Sequence, residues 1–319
     1  MVSKSRAGDR VHEKGFITFA FGAKRYIDMA AAMAASAELR GSQTKFAVVC
    51  DKDHEILRKY FDIIIPIDKG LGRGVCQKLY IDKYSPFKDT IFIDSDCLFF
   101  KNPDMLWPLL ADPQGFGVES YDRKQHGDKY YSMTDVDAFL DFFGEKMFPV
   151  FNSGLFYFNR SDKAAAVFEK ARYIYSVRDG LPLKEFKDAP VNDEPIYQMA
   201  VQLCGIKTLP WRDTMAMILE DINGLNRIDV IRGNGAHFRG NNRVDPVLIH
   251  FNIHTQDLYP YLREIRRLSG RSLFFSVFTA RTLSLWRKLC YYIKHYFLLK
   301  ILFFFWGTYR KIFPKKRIK

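Results

Sequence analysis

The chain has 319 residues, long enough to bury a full core as one large domain or two smaller ones, and its 48% hydrophobic and 16% aromatic content excludes disorder over most of its length. The net charge of +13 points to a nucleic-acid binder only until it is located. Residues 263 to 319 hold 15 Lys plus Arg against Glu264 alone, a charge of +14, which leaves residues 1 to 262 at about −1.

Taken in chain order, Gly15 to Gly22 reads as a buried strand ending at a turn, and the Ala- and Met-rich stretch Tyr26 to Leu39 as the helix that follows. Lys45 to Cys50 is a second strand, Asp53 to Tyr60 a helix, and Asp62 to Ile67 a third strand. Such alternation predicts βαβ crossovers and an α/β fold, a Rossmann-like, mainly parallel sheet flanked by helices. A further apolar, strand-like run leads into Asp94 and Asp96, Gly115 to Glu119 is another strand, and Tyr121 to Met147 is a charged, aromatic insertion. Phe148 to Asn159 is apolar around an Asn-Ser-Gly kink, Lys163 to Arg178 is a helix, and Val247 to Phe251 is a last strand carrying His250. The Gly-, Asn- and Arg-rich stretch Ile206 to Arg243 has no order legible in its sequence. Two divisions follow: a catalytic body over 1–262 and a basic, aromatic helical tail over 263–319.

The five cysteines, Cys50, Cys76, Cys97, Cys204 and Cys290, show no zinc or redox spacing and read as reduced, mostly core thiols. Met1 to Gly15 lacks the apolar core of a signal peptide or membrane anchor, which favours a cytoplasmic chain.

The most informative segment is Ile91-Phe-Ile-Asp-Ser-Asp-Cys-Leu-Phe-Phe100, where Asp94 and Asp96 end an apolar run. Alternation along an extended chain aims both carboxylates to one side. Asp-x-Asp also occurs at Asp51 to Asp53 and Asp135 to Asp137, but only the copy at Asp94 follows three β-prone apolar residues. Two carboxylates completed by phosphate oxygens and water suit Mg²⁺ or Mn²⁺. Ligands of such a sheet bind beyond the carboxyl ends of its strands, the edge shared by Asp94, Asp96 and the Gly22 to Tyr26 turn.

Four blocks in one order carry a family resemblance: the first strand followed by Tyr26, the pair Lys78-Leu79 before FIDSDCLFF, FNSGLFYFN, and Asp193-Glu194 before Ile-Tyr-Gln, with His250 in LIHF completing the set. Over roughly residues 15 to 255 the chain resembles GT-A glycosyltransferases, in particular glycosyltransferase family 8 with its glycogenin-like and bacterial lipopolysaccharide galactosyltransferase relatives. The resemblance implies a divalent cation, Mn²⁺ or Mg²⁺, held by Asp94, Asp96 and His250, with His254 and His237 as competitors for the third position. It implies that Tyr26 stacks on the uracil of a UDP-sugar, that Lys78 reaches the sugar or its phosphate, and that Asn152, Ser153 and Gly154 line the donor sugar. Ser95 and Glu194 join the substrate-binding residues. Asp193, with Asn152, stands at the catalytic centre near the anomeric carbon, where the family retains configuration by a covalent or an oxocarbenium-like route. One departure is plain: the family follows its metal-binding His with Gly-x-x-Lys-Pro-Trp, whereas here His250-Phe-Asn-Ile-His-Thr-Gln-Asp257 leaves the phosphate clamp to His254, Arg239 or Arg243.

From Thr279 to Trp306 cationic residues alternate with Trp, Tyr, Phe and Leu, and at helical spacing Arg281, Arg287, Lys288, Lys294 and His295 share one arc opposite an apolar one. Phe297 to Trp306 is half the length of a spanning helix and is interrupted by Lys300. This predicts an interfacial helix on an anionic membrane, aided by Lys315 to Lys319, or else a helix packed on protein. The combined expectation is a glycosyltransferase acting on a lipid-linked or surface-glycan acceptor, peripheral on the cytoplasmic face of a bacterial inner membrane. A haloacid dehalogenase-type phosphohydrolase is the second reading, although Leu98 stands where that family wants Thr or Val. A non-catalytic anionic-lipid or nucleic-acid binder is the third. Segregation of the charge beside apolar aromatics favours lipid, so no nucleic acid is expected.

Overall fold

A computed structural model describes residues 12–72, 74–185, 191–217, 227–239, 241–252, 259–270 and 273–292. The chain divides into two compact units, Met1–Asn252 and Ile253–Lys319.

In the first unit, β1 (His12–Ala20), α1 (Lys24–Leu39), β2 (Lys45–Cys50), α2 (Glu55–Tyr60) and β3 (Ile63–Pro66) follow in order. A 3₁₀ helix over Gly74–Tyr80 and the short α3 (Ile81–Tyr84) lead to β4 (Phe87–Ile93) and β5 (Cys97–Phe99). Next come α4 (Leu106–Leu110), β6 (Phe116–Gly117), β7 (Glu119–Ser120), β8 (Asp122–Gln125) and α5 (Val136–Phe143). Then β9 (Met147–Val150), β10 (Leu155–Asn159), α6 (Asp162–Ser176) and α7 (Glu194–Leu203) precede five short strands. These are β11 (Leu209–Pro210), β12 (Met215–Met217), β13 (His237–Arg239), β14 (Asn242–Val244) and β15 (Leu248–His250).

The main sheet has the order β3-β2-β1-β4-β10-β6. Its first four strands pair in parallel, and β10 runs antiparallel to both β4 and β6. This is the expected α/β architecture, and the alternation of side chains explains it. Phe16, Phe46, Val48, Ile91 and Ile93 enter the core cluster on one face with Ile27, Ala30 and Met33 of α1. Ile17, Ala47, Val49 and Phe92 enter the other with Phe168 of α6 and Ile196 of α7. Strands buried on both faces read as continuous apolar runs, as these do. Local signals set the helix ends: Ser161 accepts the Ala164 amide at 3.3 Å to start α6, and Asp135 accepts that of Ala138 at 3.0 Å to start α5. Gly144, at φ 67°, closes α5 in the left-handed conformation.

Several expectations need correction. The Asp pair is not on an extended strand: β4 stops at Ile93, and the chain turns so that the Cys97 amide donates to the Asp94 carbonyl at 3.2 Å. Of the thiols expected in the core, Cys50 and Cys97 are buried, Cys76 and Cys204 are half-buried, and Cys290 is exposed. The Gly115 to Glu119 run is broken into β6 and β7, each of two residues. The stretch Ile206 to Arg243 is held by short strands, with 218–226 outside the described residues.

In the second unit α8 (Tyr259–Leu268) packs against α9 (Leu273–Tyr292), and the Arg281 guanidinium lies 5.4 Å from the centre of the Tyr259 ring. The expected tail helix therefore begins earlier than Thr279. Phe297 to Trp306, Lys294, His295 and Lys315 to Lys319 lie outside the described residues. Among the described residues no helix is long and apolar enough to cross a membrane.

Candidate metal and donor site

The site grows from the carboxyl end of β4. Asp94 is the first residue beyond that strand, and its amide donates to the Gly154 carbonyl at 2.8 Å, which ties the Asp turn to the kink before β10. The chain then returns as β5, which pairs antiparallel with β15, placing His250 opposite Cys97. The Phe251 amide donates to the Asp96 carbonyl at 3.0 Å and fixes the register. His250 Nε2 consequently stands 3.0 Å from Asp96 Oδ1 and 3.8 Å from Asp94 Oδ2. The three residues each offer a ligand atom, and these atoms lie within 4.8 Å of one another, the one group of its kind among the described residues.

The surroundings fit a cation. An ideal Cβ on Gly154 would come within 2.7 Å of Asn152 Oδ1, 2.8 Å of Asp94 Oδ2 and 3.0 Å of His250 Cε1, so only glycine leaves the cradle open. One nitrogen and two carboxylates form a donor set suited to Mn²⁺ and tolerant of Mg²⁺. Burial works against a charged His250, but Asp96 and Asp94 outweigh it and raise its pKa to about 9. Asp94 is pushed above the ordinary carboxylate range by burial, against the pull of Lys78 and His250.

Lys78 extends the cluster. It projects from the 3₁₀ helix, whose backbone is held by the Tyr197 hydroxyl donating to the Lys78 carbonyl at 2.7 Å. Its Nζ lies 3.1 Å from Asp94 Oδ1, 3.0 Å from Asp193 Oδ2 and 3.2 Å from Ser153 Oγ. Burial would lower its pKa, yet Asp193 and Asp94 together raise it, so the side chain is a fixed cation. Asp193 opens α7 and also accepts from Ser153 Oγ at 2.6 Å. Although burial opposes its ionisation, Lys78 and Ser153 hold its pKa below the usual value.

Glu194, the next residue, is buried and shifts the other way. Burial raises its pKa, only partly offset by donation from Tyr131. Its oxygens accept from Asn152 Nδ2, from the Tyr131 hydroxyl and, at 3.4 Å, from Asn192 Nδ2. Asn152 turns its Oδ1 to the Gly154 amide at 2.8 Å, so one amide joins Glu194 to the kink. Two adjacent acids with opposite shifts give an ionised carboxylate beside a carboxyl that holds its proton more readily.

Asp94, Asp96, His250, Lys78, Asn152, Ser153, Gly154, Asp193 and Glu194 thus meet in space, and Ser95 sits in the turn between the two ligating acids. Tyr26 is on the same sheet edge, half-buried in the first turn of α1. Its hydroxyl accepts from Arg25 Nη2 at 2.7 Å, and it is not among the hydrogen-bonded members of the cluster. His237 is buried in the β13–β14 hairpin with Nδ1 3.0 Å from the Gly235 carbonyl, and Arg243 is exposed on that hairpin. His254 and the side chain of Arg239 lie outside the described residues. Sequence reasoning missed Tyr131 and Asn192, whose only mark was aromatic and amide character near the Tyr121 insertion and the Asp193-Glu194 pair.

No family model matches the sequence, and no curated protein matches it. Solved structures of glycosyltransferases match over most of the chain. Mouse xyloside xylosyltransferase 1 in its apo form is 14% identical, with a TM-score of 0.46 over 76% of this chain and 99% of that one. The galactosyltransferase LgtC, solved with donor and acceptor sugar analogs, is 13% identical, with a TM-score of 0.47 over 80% and 95%. The glycosyltransferase GlyE of Streptococcus pneumoniae TIGR4 is 11% identical, with a TM-score of 0.48 over 83% of this chain and 63% of its own. At such identities and scores the matches assign no substrate and no residue role.

Proposed function

We propose that this protein is a metal-dependent glycosyltransferase of the GT-A, family 8 type, using a UDP-sugar and retaining configuration. The observation that carries the reading is the convergence of Asp94, Asp96 and His250 on one ligand cluster that shares Asp94 with the Lys78–Asp193 pair. Three acids, Asp94, Asp96 and Asp193, pair with Lys78 and His250, so the site has room for more positive charge. A bound Mn²⁺ or Mg²⁺ would neutralise charge developing on the departing diphosphate.

The chain's own groups supply the remainder. Lys78, a fixed cation beside the ligands, would leave Asp94 for a diphosphate oxygen and take the place of the family's missing clamp lysine. Ser153, Gly154 and Asn152 would border the donor sugar, with Ser95 near the phosphates and Tyr26 under the uracil. Ionised Asp193, with Glu194 beside it, would face the anomeric carbon as its bond to the diphosphate breaks. A bond to the acceptor oxygen forms, and UDP and the acceptor's proton leave. The basic 263–319 segment would bring a body of near-neutral charge to an anionic membrane surface, where a lipid-linked or surface-glycan acceptor resides.

The test is UDP release from a panel of UDP-sugars with Mn²⁺, with Mg²⁺ and with chelator. Release that needs the metal and one donor supports the reading. Phosphate release from simple phosphomonoesters without any UDP-sugar turnover would instead favour the phosphohydrolase.

A further inference from the structure

Helix α9 is built inside out. At 100° per residue Ser276, Ala280 and Ser284 fall on one arc, and they are the buried face. Phe278, Leu285, Trp286 and Leu289 gather within roughly 100° of arc on the other side. These large apolar side chains are 62%, 67%, 61% and 51% exposed. A helix stable in water shows the reverse, with its small and polar residues outward. Scattered exposed apolar residues are ordinary, but a continuous row of them marks a surface that meets something other than water. Thr282, in the middle of the row, donates its hydroxyl back to the Phe278 carbonyl at 2.9 Å, so its polar group is satisfied within the helix. Arg281 and Lys288 stand exposed along one border of the row.

We propose that the Phe278–Leu289 face of α9 docks on a bilayer containing anionic phospholipid. In that arrangement α9 lies in the membrane plane, Phe278, Leu285, Trp286 and Leu289 enter the headgroup–acyl boundary, and Arg281 and Lys288 reach lipid phosphates. Charge selects this occupant. The segment 263–319 carries +14, so a second copy seated on the same face would bring two such segments together, whereas an anionic surface attracts them. A nucleic acid would meet the charge but leave the apolar row in water. The helix includes Arg281, Arg287 and Lys288 and does not qualify as a membrane span, which fits a surface position. This inference gives the membrane address proposed above a defined surface and rests on that reading of the tail, not on the transfer chemistry.

The experiment uses the 319-residue chain and vesicles of phosphatidylglycerol mixed with phosphatidylcholine, or of phosphatidylcholine alone, separated by flotation. The parent chain should float with the anionic vesicles and far less with the neutral ones. The variant Phe278→Ser/Trp286→Ser/Leu289→Ser should lose at least about tenfold in partitioning, at low and high salt alike. Arg281→Gln/Lys288→Gln should lose roughly fivefold per charge at low salt, and that loss should fade as salt rises. Circular dichroism and melting temperature should match the parent for both, because the altered side chains are mostly in solvent. Flotation of the apolar-face variant equal to the parent's would overturn the proposal. So would a change in that variant's mass by sedimentation with vesicle binding intact, which would show that the face joins two copies. UDP release in solution, measured on the same samples, reports separately on the transfer reading.

Discussion

Cys97 and His250 face each other across the antiparallel β5–β15 pair, and that single register brings a histidine from near residue 250 to the two carboxylates at 94 and 96. If the cluster holds the metal of a glycosyl transfer, Asp96→Asn should leave the fold intact and reduce metal-dependent UDP-sugar hydrolysis on the order of hundreds-fold or more. Initial rates with Mn²⁺ beside a melting curve provide the check, and activity within a few-fold of the parent would refute the metal-site reading.

His250→Ala should weaken Mn²⁺ and UDP binding together, because both depend on one coordination sphere. The same change at His254 should affect the metal less. Calorimetry with UDP present reads both, and equal Mn²⁺ affinity in parent and His250→Ala would remove His250 from the ligand set.

The metal should compete with a proton. Without metal the folded-state pKa of His250 is about 9, above its ordinary 6.5, because Asp96 and Asp94 outweigh the effect of burial. A raised pKa means that protonated His250 adds stability that is complete below about 6.5 and is lost as pH climbs through about 9. Metal-free protein should therefore lose stability over that window, while Mn²⁺ affinity rises across it as the proton becomes easier to displace. Calorimetry near neutral pH in buffers of different ionisation enthalpy should show proton release on Mn²⁺ binding, and heats independent of buffer would contradict this.

Lys78→Met should separate the two uses of that cation. Leaving Asp94 and Asp193 buried without their partner should cost about 3–5 kcal/mol in chelator. Mn²⁺ should recover more stability in the variant than in the parent, since Lys78 no longer competes for Asp94, while UDP-sugar hydrolysis should fall. An equal Mn²⁺-induced shift in melting temperature for the two proteins would show that Lys78 does not compete with the metal.

Gly154→Ala should impair the site without touching a ligand directly. The added carbon would press on Asn152, Asp94 and His250 at 3.0 Å or less, so these side chains must shift. Overpacking of this kind costs about 1–3 kcal/mol. Weaker Mn²⁺ binding with an otherwise folded protein is the expected result, and unchanged binding would mean that the cradle is not needed.

The sequence by itself determined what depends on neighbours along the chain. β-prone runs at β1, β2 and β4, the Ala-rich α1, the Asn152-Ser153-Gly154 kink and the Asp94–Asp96 pair were legible because strand and helix periodicity and turn chemistry are local. Charge segregation into residues 263–319 was equally plain, being a count. Tertiary structure alone decided what depends on distant pairing. The family resemblance named His250 as third ligand with His254 and His237 as competitors, and it is the β5–β15 register that brings His250 to the acids while His237 goes into a hairpin. The opposite shifts of Asp193 and Glu194 could not be read from adjacent acids, because burial pushes Glu194 up while Lys78, 115 positions from Asp193, outweighs the burial of that acid and holds it down. In α9, periodicity separated a cationic arc from an apolar one but could not say which face would be buried. That choice is made by what the helix packs on, and it placed Ser276, Ala280 and Ser284 inside and Phe278, Leu285, Trp286 and Leu289 in the open.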